Sequence, residues 1–209
     1  MIAIIDYGMG NLSSVLNAFE AIGDKVKIIK KPSELSDCDG IVLPGVGAFS
    51  TAMGNLKKAG FLDKLKEEVI LKKKPYLGIC LGLQLLAEKS YEGGVHKGFG
   101  WIKGYVKRLE PSDSSFKIPH MGWNNVKIKK QGGILKGLED KEPVFYFVHS
   151  YGIFPKEDVI SSTCMHGQEV IASIQKGNIF GVQFHPEKSQ MAGLSLLKNF
   201  SDIVNKKNH

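Results

Sequence analysis

The sequence predicts an α/β fold: a mixed, mostly parallel central sheet flanked by helices. Three observations carry that reading. The first half alternates short apolar runs with amphipathic stretches, the pattern of a parallel sheet wound on both faces. Within it, Tyr76-Leu-Gly-Ile-Cys80 runs directly into an apolar helical pattern, with glycines at positions 78 and 82. From about Trp101 the apolar runs shorten into strands, two of which flank a compact Lys176-Gly177-Asn178 turn. One domain over residues 1–209 is expected, since 209 residues with 43% hydrophobic content bury one sizeable core.

Ile2–Asp6 reads as the first strand. A helix follows from about Asn11, which supplies its N-cap, to Ile22, where Gly23 ends it. Val26–Ile29 and Gly40–Leu43 read as strands, and helical patterns cover Ala48–Lys58 and Leu62–Lys72. Strand Tyr76–Cys80 then leads into a helix over Leu81–Glu88. In the second half, Trp101–Leu109, Asn125–Lys129, Val144–Val148 and Val159–Met165 are expected strands. Glu169–Ile174 and Ile179–His185 should pair as a hairpin, and a last helix should cover Gly193–Val204. There is no internal repeat, and the one low-complexity segment is the Ser112–Ser115 loop.

No apolar run approaches the twenty residues of a membrane-spanning helix. The chain opens directly as a strand, so a signal peptide is not expected. Cys38, Cys80 and Cys164 form an odd set without Cys-x-x-Cys spacing, which argues against a disulfide framework and a zinc site and fits a reducing cytoplasm. The net charge of +7 is scattered over Lys72–Lys74, Lys127 to Lys130 and Lys206–Lys207 without interleaved aromatics. That arrangement predicts a solvated lysine-rich surface and no nucleic-acid partner.

Glycines on either side of a nucleophile-type residue at a strand-to-helix junction match a nucleophile elbow, here with cysteine. Gly78 and Gly82 allow the close backbone approach that a sharp turn needs. The turn would lift the Cys80 sulfur to a helix N-terminus, where unpaired amides favour the thiolate. A hundred residues later His185-Pro-Glu187 places an imidazole and a carboxylate two apart, on one face of an extended chain. Nucleophile, base and orienting carboxylate make a catalytic triad. Acyl chemistry also needs oxyanion donors, expected from the Leu81 amide and the Pro44-Gly45-Val46-Gly47 loop. No phosphate loop or nucleotide fingerprint is present, so neither cofactor nor metal is expected.

These strings resemble the class I (triad) glutamine amidotransferases over essentially the whole chain. The cysteine and His-Pro-Glu strings are shared by that class. Phe147-Val-His-Ser-Tyr151 adds to the resemblance, while Asp6-Tyr-Gly-Met-Gly-Asn-Leu12, Leu43-Pro-Gly-Val-Gly-Ala-Phe49 and Pro119-His-Met-Gly-Trp-Asn124 single out its subfamily of imidazole glycerol phosphate synthase glutaminases. The resemblance implies a flavodoxin-like topology and hydrolysis of L-glutamine to glutamate and ammonia through a Cys80 thioester. It implies an oxyanion hole at Val46, Gly47 and Leu81, and glutamine binding by Gly45, Gln84, Glu92, His149, Ser150 and Tyr151. It places Asn11, Trp123 and Lys188 against a (βα)8-barrel cyclase subunit in a heterodimer of the cytoplasm. That partner would use the ammonia to make imidazole glycerol phosphate and aminoimidazole carboxamide ribotide in histidine biosynthesis. Three alternatives stay open: a paralogue feeding another acceptor such as surface-sugar amidation, a ThiJ/PfpI-like cysteine protein, and a regulatory subunit without turnover.

Overall fold

Period-2 alternation in the first strand determines how the two faces of the sheet are filled. In β1 (Ile2–Ile5), Ile2 and Ile4 join one apolar core while Ala3 and Ile5 join the other. The first core also holds Val15 and Phe19 of α1 (Leu12–Ala21) and Leu196 and Phe200 of α5 (Gln190–Lys206). The second holds Phe49 and Leu56 of α2 (Phe49–Lys58) and Phe61 and Leu65 of α3 (Phe61–Leu65). In the computed structural model, which describes residues 1–139 and 142–206, α3 runs on into a wider π-type turn over Lys66–Leu71. Lys207 of the basic tail lies outside the described residues.

The remaining strands before the elbow are β2 (Val26–Ile29), β3 (Gly40–Gly45) and β4 (Tyr76–Cys80). After the one-turn helix α4 (Leu81–Gln84) come β5 (Ala87–Ser90), β6 (His96–Lys97) and β7 (Ile102–Arg108). Then follow β8 (His120–Asn125), β9 (Lys127–Ile128), β10 (Val144–His149) and β11 (Tyr151–Pro155). The last strands are β12 (Ile160–Met165), β13 (Glu169–Lys176) and β14 (Ile179–Val182). The central sheet has the order β2-β1-β3-β4-β14-β13-β12-β9. Its first five strands are mutually parallel and its last three pair antiparallel. β1, β3, β4 and β14 are buried throughout, as parallel strands covered on both faces must be. The parallel part has the 2-1-3-4-5 winding of flavodoxin-like sheets, whose ligands collect at the carboxyl ends of the strands.

The structure departs from the expected elements at several places. The helix expected over Leu81–Glu88 stops at Gln84, and Ala87–Ser90 is a strand. The carbonyls of Leu85, Leu86 and Ala87 accept from the amides of residues 99 to 102, so long-range pairing holds the chain beyond Gln84. The expected Asn125–Lys129 strand is replaced by β8 and the short β9. The pattern concealed β8 because polar residues and Gly122 (φ +118°) interrupt its alternation; β10 supplies the pairing that holds it, from Val144↔Asn125 to His149↔His120. β5, β6 and β11 join β7 in a second sheet that was not expected. The last helix starts at Gln190, not Gly193. Gly193 lies inside it because a Cβ there would sit 1.9 Å from the Pro186 carbonyl oxygen.

Candidate active site

Cys80 ends the fully buried β4 and adopts φ 53° and ψ −106°, a conformation that an L-residue enters only at a cost. The turn is possible because both flanking glycines lie against backbone. A Cβ on Gly78 would fall 2.4 Å from the Gly82 carbonyl oxygen, and one on Gly82 would fall 1.9 Å from that of Leu43. The Tyr76 hydroxyl fastens the turn by donating to the Gly82 carbonyl at 3.1 Å. Since α4 is one turn long, it carries little of the macrodipole expected to favour the thiolate. A side chain reaches the sulfur from elsewhere in the fold. Gln183 Nε2 donates to Cys80 Sγ at 3.6 Å, a contact whose partners are 103 residues apart.

β14 delivers His185 to the other side of the sulfur, and the short 3₁₀ turn Pro186–Lys188 brings Glu187 back onto the ring. His185 Nδ1 donates to Glu187 Oε1 at 2.7 Å with both side chains almost wholly buried, at 4% and 2% exposure. Nε2 is buried without an aligned hydrogen bond and is the ring atom left for the thiol. Burial alone would hold the imidazole neutral. Cys80 and Glu187 outweigh it and raise the His185 pKa well above the usual histidine range.

A cleft of about 410 Å³ opens over this group. Val46, Gly47, Cys80, Leu81, Gln84, Glu92, His149, Ser150 and Tyr151 all line it, together with Pro119 and Val148. Gly45 does not. It pairs with Cys80 in the sheet, and its Cα is backed by the Tyr7 hydroxyl, 2.3 Å from where a Cβ would be. Leu81 is the first residue of α4, so its amide has no intrahelical partner. Val46 is half exposed and Gly47 has φ +101°, which frees the loop amides from the sheet. Glu92 Oε2 accepts from the Phe49 amide at 2.8 Å and thereby ties the exit of this loop to the cleft. Gln84 Nε2 donates to the Tyr151 carbonyl at 2.9 Å and to Gln183 Oε1 at 3.1 Å.

Outside the cleft lining, Trp123 is 49% exposed and meets Tyr146 edge-on at 5.8 Å, while Lys188 Nζ lies 5.7 Å from the same ring. Asn11 is exposed at the start of α1, where its side chain accepts from the Ser14 amide, and α1 packs against the Pro186–Lys188 turn. Three buried residues linked to Cys80 or to the cleft lining carried no local signal of a role. Gln183 is a polar residue at the end of an apolar strand, and nothing beside it in the chain points to Cys80. Tyr7 is a buried phenol without a partner among the described residues, its pKa raised by burial and then by Cys80. His120 is buried and bonds to His149, which lines the cleft. Among the described residues no group of His, Cys, Asp and Glu side chains is arranged to hold a metal ion.

Residues 3–203 match the family described as Glutamine amidotransferase class-I. The chain is 52% identical over 203 residues to Imidazole glycerol phosphate synthase subunit HisH 1 of Campylobacter jejuni, covering 97% of this chain and 100% of that protein. It is 49% identical to Imidazole glycerol phosphate synthase subunit HisH of Moorella thermoacetica, covering 97% and 95%. Among solved structures, PurLQS from Thermotoga maritima superposes with a TM-score of 0.74 at 20% identity, over 97% of this chain and 98% of that one. The glutaminase domain of CTPS from Trypanosoma brucei, with bound acivicin, gives 0.67 at 18% identity, over 96% and 93%. Those two likenesses concern the fold.

Proposed function

The chain belongs to the class-I glutamine amidotransferases, and on that premise we propose that it is the glutaminase subunit of an imidazole glycerol phosphate synthase. It hydrolyses L-glutamine to glutamate and ammonia, and the ammonia passes to a cyclase subunit. The observation that carries the reading is the buried Cys80–His185–Glu187 group beneath a cleft with unpaired amides on its wall. Membership of the amidotransferases sets aside the ThiJ/PfpI-like alternative.

The Cys80 thiolate, held by the imidazolium of His185 and by Gln183 Nε2, attacks the carboxamide carbon of glutamine. A C–S bond forms, and the π electrons move to the oxygen, which the amides of Leu81 and of Val46 or Gly47 receive. Collapse breaks the C–N bond, and His185 gives its Nε2 proton to the departing nitrogen, releasing ammonia. Water, relieved of a proton by the same ring nitrogen, then attacks the thioester, the C–S bond breaks, and glutamate leaves. Glu187 keeps the ring in the tautomer that serves both steps and offsets its positive charge. Gln84 and Glu92 hold the amino-acid head of the substrate against the Ser150–Tyr151 backbone. Trp123 and Lys188 offer the aromatic and cationic anchors suited to docking, with Asn11 beside them, against a partner of (βα)8-barrel type in a heterodimer. The whole chain acts as one unit, in the cytoplasm. Among the described residues no helix is long and apolar enough to cross a membrane.

The test is synthesis by the co-purified pair. Glutamine should support formation of imidazole glycerol phosphate with the native chain and fail with Cys80→Ala. Excess ammonium salt at alkaline pH should support it with both. Glutamate release without product from glutamine would assign the ammonia to another acceptor. Glutamine-dependent synthesis that survives Cys80→Ala would refute the assignment.

A further inference from the structure

The Pro119-His-Met-Gly-Trp-Asn124 string turns Trp123 outward to solvent, and its inward residues lead elsewhere. We propose that His120 and Asn124 are positioning residues of the glutamine site: they set the tautomer of His149 and, through it, hold the Tyr151 carbonyl in the wall of the cleft. The proposal rests on the glutaminase reading above and adds two residues to it.

The direction of every hydrogen bond in this chain of groups can be deduced. Asn124 Nδ2 lies 2.8 Å from the Met165 carbonyl oxygen and 3.1 Å from His120 Nε2. A carbonyl only accepts, so the amide face turned to Met165 is the NH₂, and its second proton goes to His120 Nε2. That nitrogen is therefore bare, and neutral His120 carries its proton on Nδ1. Nδ1 lies 3.0 Å from His149 Nε2, which must accept. His149 then carries its proton on Nδ1, 2.8 Å from the Tyr151 carbonyl oxygen. That oxygen also only accepts, so both ends of the chain, Met165 and Tyr151, demand the same direction.

The surroundings keep both rings neutral. His120 is stacked between Phe147 at 4.6 Å and His166 at 4.2 Å. Burial pushes His120 down to about 3, helped by His149 and His166. Burial also pushes His149 down to about 4; the Tyr151 carbonyl opposes this, and His166 and His185 add to it. A proton on either ring would set two N–H donors against each other at 3.0 Å.

At its inner end the chain reaches the chemistry. The Tyr151 carbonyl receives His149 Nδ1 and Gln84 Nε2 together. Gln84 Nε2 also donates to Gln183 Oε1, and Gln183 Nε2 donates to Cys80 Sγ. At its outer end, strand alternation places His120 and Asn124 on the face opposite Met121 and Trp123, which are 60% and 49% exposed. One strand thus presents anchors to solvent and orders the substrate wall behind them.

Two measurements test this. Long-range ¹H–¹⁵N correlation on the full chain with labelled histidine should find His120 and His149 protonated on Nδ1 and untitrated from about pH 5 to 8. A proton on Nε2 of either ring, or titration of either near the ordinary histidine pKa of about 6.5, overturns the proposal. Kinetics with the cyclase present give the second measurement. His120→Phe keeps a ring in the stack and removes both nitrogens, whereas His120→Asn restores a donor toward His149. Loss of one buried hydrogen bond should raise the glutamine KM about five- to tenfold, with kcat within about twofold. His120→Asn should recover most of that loss. Asn124→Leu should shift KM in the same direction and serves if His120→Phe fails to fold. An unchanged KM in Asn124→Leu, or indistinguishable Phe and Asn variants at position 120, overturns it. A native pair that releases no glutamate would instead remove the glutaminase reading, and the tautomer result would stand apart from it.

Discussion

Replacing Glu187 by Gln changes one atom type in a buried contact, and the geometry predicts the consequence. In the native site Glu187 Oε1 receives His185 Nδ1 at 2.7 Å, while Oε2 is buried with no partner among the described residues. A glutamine amide has two orientations there. With its oxygen toward Nδ1 the tautomer is preserved, but the NH₂ enters the unpartnered position, and a buried donor left unpaired costs about 1–3 kcal/mol. With its nitrogen toward Nδ1 that penalty is avoided. The ring must then carry its proton on Nε2, and it loses the base that the Cys80 thiol needs. The first orientation replaces a charged hydrogen bond of about 1.5–3 kcal/mol by a neutral one of about 0.5–1.5, a loss worth about tenfold in kcat/KM. The second approaches the roughly 10⁴-fold loss of a triad whose tautomer is wrong. The expected result is a loss between these limits in glutamate release with the cyclase present. Burial already disfavours the imidazolium, and without Glu187 the raised pKa of His185 should fall. With the imidazolium beside it less favoured, Cys80 should be alkylated more slowly by an iodoacetamide-type reagent at neutral pH. Unchanged kcat/KM together with an unchanged alkylation rate would refute the role given to Glu187.

Other outcomes follow from the same structure. An electrophilic glutamine analogue should label Cys80 and spare Cys38 and Cys164, since burial raises both of those thiols, Cys164 to about 12; equal labelling of all three would remove Cys80 as nucleophile. Glu68 is buried among Lys64, Lys72 and Lys74, with contacts of 2.9, 2.8 and 2.8 Å expected of strong ion pairs. Burial opposes its charge, but the three lysines prevail and lower its pKa to about 2, so its stabilisation is complete above the unfolded value of 4.5 and disappears as pH falls toward 2. Glu68→Gln should therefore cost about 2 kcal/mol in urea unfolding at neutral pH, allowing for the partial exposure of the lysines, with the difference shrinking below about pH 4. A difference that stays constant into acid would disprove the linkage. Trp123→Ala should weaken association with the cyclase, or its stimulation of glutamate release, without lowering the melting temperature. Stimulation should reach about 10²-fold if the loop at Val46 and Gly47 presents its oxyanion donor only on docking, and full activity in the isolated chain would refute that switch.

Much of this molecule could be read from neighbouring residues alone. The apolar run of Ile2 to Ile5, the capping Asn11, the Lys176–Asn178 turn and the two glycines around Cys80 are local signals, because each encodes a backbone conformation within a few positions. His185 and Glu187 were legible as a pair, but the extended chain expected to hold them on one face is replaced by the 3₁₀ turn Pro186–Lys188, which brings the carboxylate back onto the ring. What the tertiary structure alone decided has partners far away in the chain. After the one-turn elbow helix the chain is held by amides of residues 99 to 102, which pair with the carbonyls of Leu85, Leu86 and Ala87. β8 lacked an apolar rhythm and exists by pairing with β10. Gln183 reaches Cys80 across 103 residues, and His120 reaches His149 across 29. A side-chain amide or imidazole can bond to any donor or acceptor that packing delivers, so its role is undetermined until the sheet has set strand next to strand. Local sequence thus specified where Cys80, His185 and Glu187 stand, and long-range packing specified the polar network around them.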